Sequence, residues 1–181
     1  MSICVNHKLL LLILSGLTLS QVVAQQQAEL DRLADKINRQ VETKKPEWKH
    51  RRGEPIQGSS NVYIEFWSSS NRIVKVAIVP YNSPEHAREV FRGFAKFESQ
   101  KEELKGFGDS AYGWGYALSN VVFTRGKLII YVSSYAQVDS DPDASSLTEA
   151  ARGERERSEM RRLSREFAIE VLRAVDLLEA L

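Results

Sequence analysis

Helically spaced and alternating apolar positions divide the chain into eight predicted elements. From Ala28 to Val41 an apolar side chain recurs every three or four positions, which predicts a one-faced helix. The segments Val62 to Trp67 and Arg72 to Val79 are rich in β-branched and aromatic residues, and turn-forming residues separate them. The pattern therefore predicts a helix followed by a β-hairpin.

A second helix and a further strand are predicted next. Ser83 is a favourable N-cap, Pro84 suits the first helical position, and Glu85 places an acid in the first turn. This helix is expected to end near Phe97. Beyond a charged segment, Tyr112 to Tyr116 alternates like a strand.

The last third of the chain predicts another hairpin and a long helix. Asn120 to Thr124 and Leu128 to Tyr135 alternate in hydropathy on either side of an Arg-Gly turn. Ser146 to Glu149 then form a capping-box pattern, which predicts the start of the final helix. Its apolar stripe contains Met160, Leu163, Phe167, Val171, Ala174 and Leu178.

The predicted order is α-β-β-α-β-β-β-α. Strands joined by hairpins, with helices between and after them, indicate an α+β domain. We expect one antiparallel sheet of about five strands, made of two hairpins plus one strand and flanked by three helices. The expected core consists of Val62, Ile64, Phe66, Val74, Val76, Ile78, Phe91, Phe94, Phe123, Ile130, Val132 and Phe167.

The first residues predict export. Lys8 precedes an apolar run from Leu9 to Leu19, and small residues lead to Ala24, which is the layout of a secretory signal peptide. The run is shorter than the roughly 20 residues that span a bilayer, so we expect cleavage after Ala24 and no stable membrane insertion afterwards. The predicted divisions are a signal peptide over 1–24, a helix and basic linker over 25–60, and the α+β domain over 61–181. The mature protein is expected in the periplasm or the medium.

The cysteine position and the net charge exclude several kinds of site and partner. Cys4 precedes the apolar run, so it leaves with the signal, and the protein is not expected to be a lipoprotein or to contain a disulfide. Removing Lys8 lowers the 25 basic residues to 24, against 24 acidic ones, so the mature chain is neutral. Nucleic acid is therefore not an expected partner. The basic stretch from Lys44 to Arg52 is either an electrostatic patch or a solvated linker with Trp48 held to the core, and neutrality favours the linker.

The glycine-rich stretch GFGDSAYGWG, residues 106–115, suggests two active-site motifs. Gly108, Asp109 and Ser110 resemble the nucleophile block of GDSL lipases and esterases, but no histidine follows Ser110 to act as the base. The stretch also matches a dinucleotide fingerprint, which requires a strand before it and a helix after it. Here the predicted order is the reverse. We therefore expect a turn, no catalytic residue and no cofactor.

Turns and caps recur in a fixed layout between Val62 and Tyr135. The layout consists of Ser83-Pro84-Glu85-x-Ala87, Gly106-x-Gly108-Asp109-x-Ala111-Tyr112 and Phe123-x-Arg125-Gly126. It is similar to that of small exported bacterial α+β domains of PsbP-like appearance. The resemblance implies a helix-flanked antiparallel sheet and a non-enzymatic accessory or binding role.

Metal and acid–base sites are not predicted. The loop from Asp139 to Ser145 begins like a calcium loop, but Ala144 and Ala150 occupy the positions of the required glycine and glutamate. We expect a solvated acidic loop, with weak calcium binding as the alternative. Glu65 is an acid within an apolar strand, and we expect it to face solvent opposite Ile64 and Phe66.

Aromatic residues supply the one predicted binding surface. The period of two places the aromatic rings of each of two strands on one side. If those strands are neighbours, five rings share a face suited to a small ligand or protein partner; the alternative is that a helix covers them. We expect an exported non-enzymatic binding or accessory domain. Assembly through the long C-terminal helix and an unrecognised hydrolase site are the alternatives, and the oligomeric state stays open. The five residues are Tyr63, Trp67, Tyr112, Trp114 and Tyr116.

Overall fold

The computed structural model describes residues 7–54, 62–98, 100–138, 141 and 143–179. Three α-helices and two short 3₁₀ helices accompany seven strands. The α-helices are α1 (His7–Lys44), α2 (Pro84–Phe97) and α3 (Glu149–Glu179), and the 3₁₀ helices are Tyr116–Leu118 and Ala144–Ser146. The strands are β1 (Lys49–Arg52), β2 (Tyr63–Ser69), β3 (Arg72–Pro80), β4 (Lys101–Glu103), β5 (Ser110–Trp114), β6 (Asn120–Arg125) and β7 (Leu128–Ala136).

The seven strands form one antiparallel sheet in the order β1-β2-β3-β7-β6-β5-β4. Both predicted hairpins are present, as β2 with β3 and as β6 with β7. The hairpins join through β3 and β7, where Val76 lies opposite Val132. The fold class is therefore α+β, as predicted.

The strand count differs from the prediction of about five. The two additional strands, β1 and β4, are the edges of the sheet, and neither has a buried residue. Edge strands in soluble proteins are commonly short and charged, since such residues discourage pairing with other chains. Strands of this kind lack the apolar alternation on which the sequence prediction depended. The basic stretch before Gly53, which we predicted to be a linker, thus contains a strand.

One side of the sheet, the closed face, is covered by α1 and α3. The closed face is the side of the sheet that bears Tyr63, Glu65 and Trp67. The two helices that cover it also pack on each other. The predicted stripe of α3 is buried there from Met160 to Ala174, and the side chain of Leu178 lies outside the described ones. Trp48 also lies in this core. The buried residues at the centre include Val41, Val74, Val76, Phe123, Ile130, Val132, Leu163, Phe167 and Val171.

The opposite side of the sheet is only partly covered. Ser83 caps α2 as predicted, with its Oγ accepting a hydrogen bond from the His86 backbone N–H at 3.2 Å. Ala87 and Phe91 of α2 pack mainly over β6 and β7, against Ile129 and its neighbours.

Among the described residues, none of the helices has both the length and the apolar character that a bilayer span requires.

Three members of the predicted core are less buried than expected. Phe94 is 49 % exposed on α2, although its ring lies 6.3 Å from that of Tyr131. Val62 and Phe66 are only half-buried, because they point to the side of the sheet that α2 leaves uncovered. The other nine predicted core residues are buried.

Candidate functional site

The first residues of the glycine-rich stretch, 106–109, lie in the turn between β4 and β5, and the next five form β5. Gly108 has a φ of +58°, and a Cβ at this position would lie 2.2 Å from the backbone oxygen of Thr124. Asp109 then fastens the turn to the β6–β7 hairpin. Its Oδ2 accepts a hydrogen bond from the Gly126 N–H at 2.9 Å, and its Oδ1 lies 3.3 Å from a guanidinium nitrogen of Arg125. Glycine and aspartate are thus required here by backbone geometry.

The structure does not bring a histidine to Ser110. Ser110 is the first residue of β5 and lies opposite Thr124 of β6. His50 belongs to β1, and four strands lie between β1 and β5. The His86 ring packs against Tyr81 with their centroids 5.2 Å apart. The described geometry therefore gives the Gly-Asp-Ser motif no base.

The five predicted aromatic residues do not share one face. Tyr63 and Trp67 are buried on the closed face under the helices, and Trp67 packs on Phe167 with centroids 5.8 Å apart. Tyr112 and Trp114 point to the opposite side, towards α2, and three strands separate β5 from β2. Tyr116 is exposed in a 3₁₀ helix. The hypothesis of one five-ring surface is wrong, since β2 and β5 are not neighbours.

Tyr112 also lines a cleft between α2 and the glycine turn. The cleft has a volume of about 600 Å³ and opens to solvent. Phe91 and Phe107 line it together with Lys101 and Lys105. Part of the predicted aromatic set therefore borders a concave surface, although Trp114 is not among its lining residues.

Glu65 lies on the closed face, which corrects the prediction that it faces solvent. Its side chain is 1 % exposed. The Glu65 Oε2 lies 2.7 Å from His50 Nε2, and its Oε1 accepts a hydrogen bond from Arg52 Nε at 3.0 Å. Two basic side chains from the adjacent strand thus compensate the cost of burying a carboxylate.

This cluster extends to helix α1. Arg52 also reaches Asp31, with 3.2 Å between nitrogen and oxygen, and the Tyr63 hydroxyl donates to the same Oδ1 at 2.6 Å. Burial and the Asp31 hydrogen bond together raise the pKa of Tyr63 to about 12. We name His50, Arg52, Tyr63, Glu65 and Asp31 the ionic cluster. Its members are hydrogen-bonded to one another, which is the arrangement of a structural network.

One sequence signal identifies the ionic cluster in retrospect. His50 and Arg52 alternate along β1, and Tyr63, Glu65 and Trp67 alternate along β2, so both sets point to one face. Sequence reasoning missed this pairing because the basic stretch was assigned to a linker. Without β1, Glu65 had no visible partner.

The acidic loop is held by arginines. Asp141 lies 3.4 Å from both Arg72 and Arg155, and Asp143 lies 2.7 Å from Arg155. Hydrogen bonds from Arg162 and Arg72 lower the pKa of Glu159 nearby to about 2. Within the described residues no group of carboxylates and histidines is arranged to hold a metal ion. Residues 139, 140 and 142 of this loop lie outside the described residues.

The uncovered half of the sheet forms the candidate binding surface. The register sets two rows across β1, β2, β3 and β7. The first row consists of Lys49, Ser68, Ile73 and Tyr135, and the second consists of Arg51, Phe66, Lys75 and Ser133. Ile73 is 44 % exposed and Tyr135 is 49 % exposed. We name this surface the open face, and it comprises Lys49, Arg51, Phe66, Ser68, Ile73, Lys75, Ser133 and Tyr135.

The open face combines apolar area with positive charge. The Arg51 guanidinium lies over the Phe66 ring, 4.3 Å from its centroid. In the part of the chain that the structure describes, Lys49, Arg51 and Lys75 have no carboxylate partner, and the open face contains no acid. Apolar side chains beside unneutralised cations are suited to a partner that is both apolar and acidic.

Comparisons of the chain with protein families, with curated proteins and with solved structures find no match. The resemblance to PsbP-like domains therefore stays a prediction. Function is argued below from the contacts, burial and charge of the described residues.

Proposed function

We propose that the protein is an exported, non-enzymatic binding or accessory domain that holds its partner on the open face. One observation carries the proposal: Ile73 and Tyr135 are exposed side by side on a regular sheet, next to cations without carboxylate partners. A sheet held on its other side by two helices is a rigid platform. Such a platform orders few groups on binding, which lowers the entropic cost of association.

The open face replaces the aromatic surface that the sequence suggested. Tyr63 and Trp67 are buried in the core, where they stabilise the fold. Tyr135 and Phe66 offer the same kind of contact, which is flat apolar area with, for tyrosine, a polar tip. The Arg51 guanidinium over the Phe66 ring adds a charge-dependent component to recognition.

Assembly through the C-terminal helix is supported less well. The apolar stripe of α3 is buried against the sheet and α1, so it is already occupied within the chain. Among the described side chains of α3, Ile169 and Leu177 are the large apolar ones that remain exposed. They provide a test position for this alternative.

A hydrolase site is also supported less well by the described geometry. The acid nearest to a histidine is Glu65, but its carboxylate is 1 % exposed and already accepts from Arg52. A catalytic carboxylate needs access to substrate. The Glu65 carboxylate is thus inaccessible, although His50 is 21 % exposed, and a hydrolase stays the second alternative.

Site-specific photo-crosslinking in the producing cells tests where the partner binds. A benzoylphenylalanine at Tyr135 is expected to crosslink to a defined partner, and Ile73→Lys should abolish that adduct. The matched control places the same group at Leu177, which is similarly exposed on α3. Adducts from Leu177 but not from Tyr135 would support assembly through α3 and overturn the proposal.

Export is tested separately, by the mass of the mature protein. Cleavage after Ala24 gives a chain that begins at Gln25, recovered from the periplasm or the medium. Recovery of the intact chain from the cytoplasm would refute this part of the proposal without affecting the binding surface.

A further inference from the structure

Strand β1 is a sheet edge made only of basic residues. Its sequence is Lys-His-Arg-Arg, and within the described residues it pairs with β2 alone. Alternation directs His50 and Arg52 to the closed face, where Glu65 binds both. Lys49 and Arg51 point to the open face and are exposed. Arg52 is therefore paired with an acid, whereas Lys49 and Arg51 are available to a partner.

The register also shows which backbone groups the edge offers. The Gly53 N–H donates to the Ile64 carbonyl at 2.7 Å, which makes Gly53 and Ile64 a hydrogen-bonded pair. Hydrogen-bonded and non-hydrogen-bonded pairs alternate in an antiparallel ladder. Arg51 and Lys49 therefore bond to β2, while the N–H and C=O groups of His50 and Arg52 point away from it. These outward groups are the template that another strand requires.

We propose that β1 binds an extended acidic segment of a partner protein as an eighth strand, with acids at alternate positions opposite Lys49 and Arg51. This inference rests on the proposed function and assigns the chemistry of the partner. Backbone hydrogen bonds to His50 and Arg52 supply strand pairing, and cross-strand ion pairs select the sequence. Acids at alternate positions lie on the open face, the side of the sheet that also bears Lys75 on β3.

Charge distinguishes this occupant from the two main competitors. A second copy of the chain would bring another β1 beside this one, and like charges placed opposite each other are destabilising. Nucleic acid binding draws on many cations along a backbone. Here three cations lie on the open face of a chain that is neutral once residues 1–24 are removed. A peptide backbone, unlike a nucleic acid, also matches the outward groups of His50 and Arg52.

Peptide titration by fluorescence anisotropy tests the inference on the mature protein. The probe is a labelled peptide of four Thr-Glu repeats, compared with a block peptide of the same composition in which the glutamates are consecutive. We expect the alternating peptide to bind about tenfold more tightly, because its acids lie on one face of an added strand. Equal affinity for both peptides would show a diffuse electrostatic patch and would overturn the inference.

Backbone pairing is tested by N-methylation, which leaves peptide charge unchanged. Two versions of the alternating peptide carry N-methyl groups on either alternate set of amides. Methylation of the set that faces β1 should abolish binding, while methylation of the other set should have little effect. If neither version loses affinity, strand addition is wrong. Binding of single-stranded DNA or heparin as tightly as the alternating peptide would likewise overturn it.

Charge reversal in the protein locates the site. The double variant Lys49→Glu and Arg51→Glu should bind the alternating peptide at least about tenfold more weakly. The matched control, Arg32→Glu with Arg39→Glu, makes the same charge change at exposed positions of α1 and should alter affinity by less than about twofold. Equal losses in both proteins would overturn the inference. If the peptide fails to bind while Tyr135 still crosslinks to a partner, the strand addition is wrong and the proposed function stands.

Discussion

On the two sides of β2 an acidic residue is buried and an apolar residue is partly exposed. On the closed face Glu65 is almost completely buried, whereas on the open face Phe66, the next residue, is only half-buried. Hydropathy alone predicts the reverse. The difference arises because Glu65 finds His50 and Arg52 on β1, while the helix over the sheet side of Phe66 lies farther along, on β6 and β7.

This comparison shows that partners, more than polarity, decide burial in this sheet. A carboxylate is costly to bury alone but tolerable with two charged hydrogen bonds. An exposed phenyl ring gains partial cover from a guanidinium, as Arg51 provides for Phe66. The closed face therefore maintains the fold, and the open face is available for recognition.

The largest expected difference in stability is between alanine substitutions at Trp67 and at Phe66. Trp67→Ala should lower the free energy of unfolding by about 3–5 kcal/mol, since the indole is fully buried against Phe167. Phe66→Ala should cost about 1 kcal/mol, because its ring is only partly removed from water. Denaturant unfolding measures both. Equal losses would show that the two faces are covered alike.

A smaller effect is expected from two adjacent arginines that point to opposite faces. Arg52→Ala should cost about 2–3 kcal/mol, because the buried Glu65 carboxylate then retains only His50 as a partner. Arg51→Ala is the matched control and should stay within about 0.5 kcal/mol. The comparison fails if Arg51→Ala costs as much as Arg52→Ala in the same urea titration.

Tyr63→Phe should cost about 1 kcal/mol through the loss of the hydrogen bond to Asp31. Because the pKa of Tyr63 is raised from 10.0 to about 12, the phenol contributes stability that is fully present below pH 10 and is lost as the pH rises through 12. The wild-type advantage over Tyr63→Phe should therefore shrink across that window. Tyr135→Phe, on the open face, is the control and should leave the free energy of unfolding nearly unchanged. A wild-type advantage that persists to pH 12 would contradict the prediction.

The smallest effect belongs to the exposed apolar pair of the open face. Ile73→Ser and Tyr135→Ser should each change the free energy of unfolding by less than about 0.5 kcal/mol, as is usual for surface positions. Thermal unfolding measures the change. A loss of several kcal/mol from either variant would mean that the open face is a second core, and the binding proposal would lose its surface.

Local features of the fold were predictable from the sequence because their physical causes are local. The Ser83 cap, both hairpins and the stripe of α3 each depend on residues close together in the chain. The edge strands β1 and β4 were not predictable in the same way, since charged residues without apolar alternation also suit loops.

The candidate site was harder to predict because it depends on the order of strands. That order follows from the pairing of β3 with β7, which joins segments far apart in the sequence and separates β2 from β5. The period of two correctly placed Tyr63 with Trp67 and Tyr112 with Trp114. It carried no information on which helix would cover which side.

The turn at Gly108 has a consequence for how related sequences will vary. A side chain at this position would meet the Thr124 carbonyl, and a change at Asp109 would release the turn between β6 and β7. Purifying selection should therefore preserve Gly-Asp in descendants of this gene, even in lineages that exchange partners. Positions of the open face should diverge with those partners instead. The most conserved residues of such a family would then be those that a turn requires, and the variable residues would be those that contact the partner.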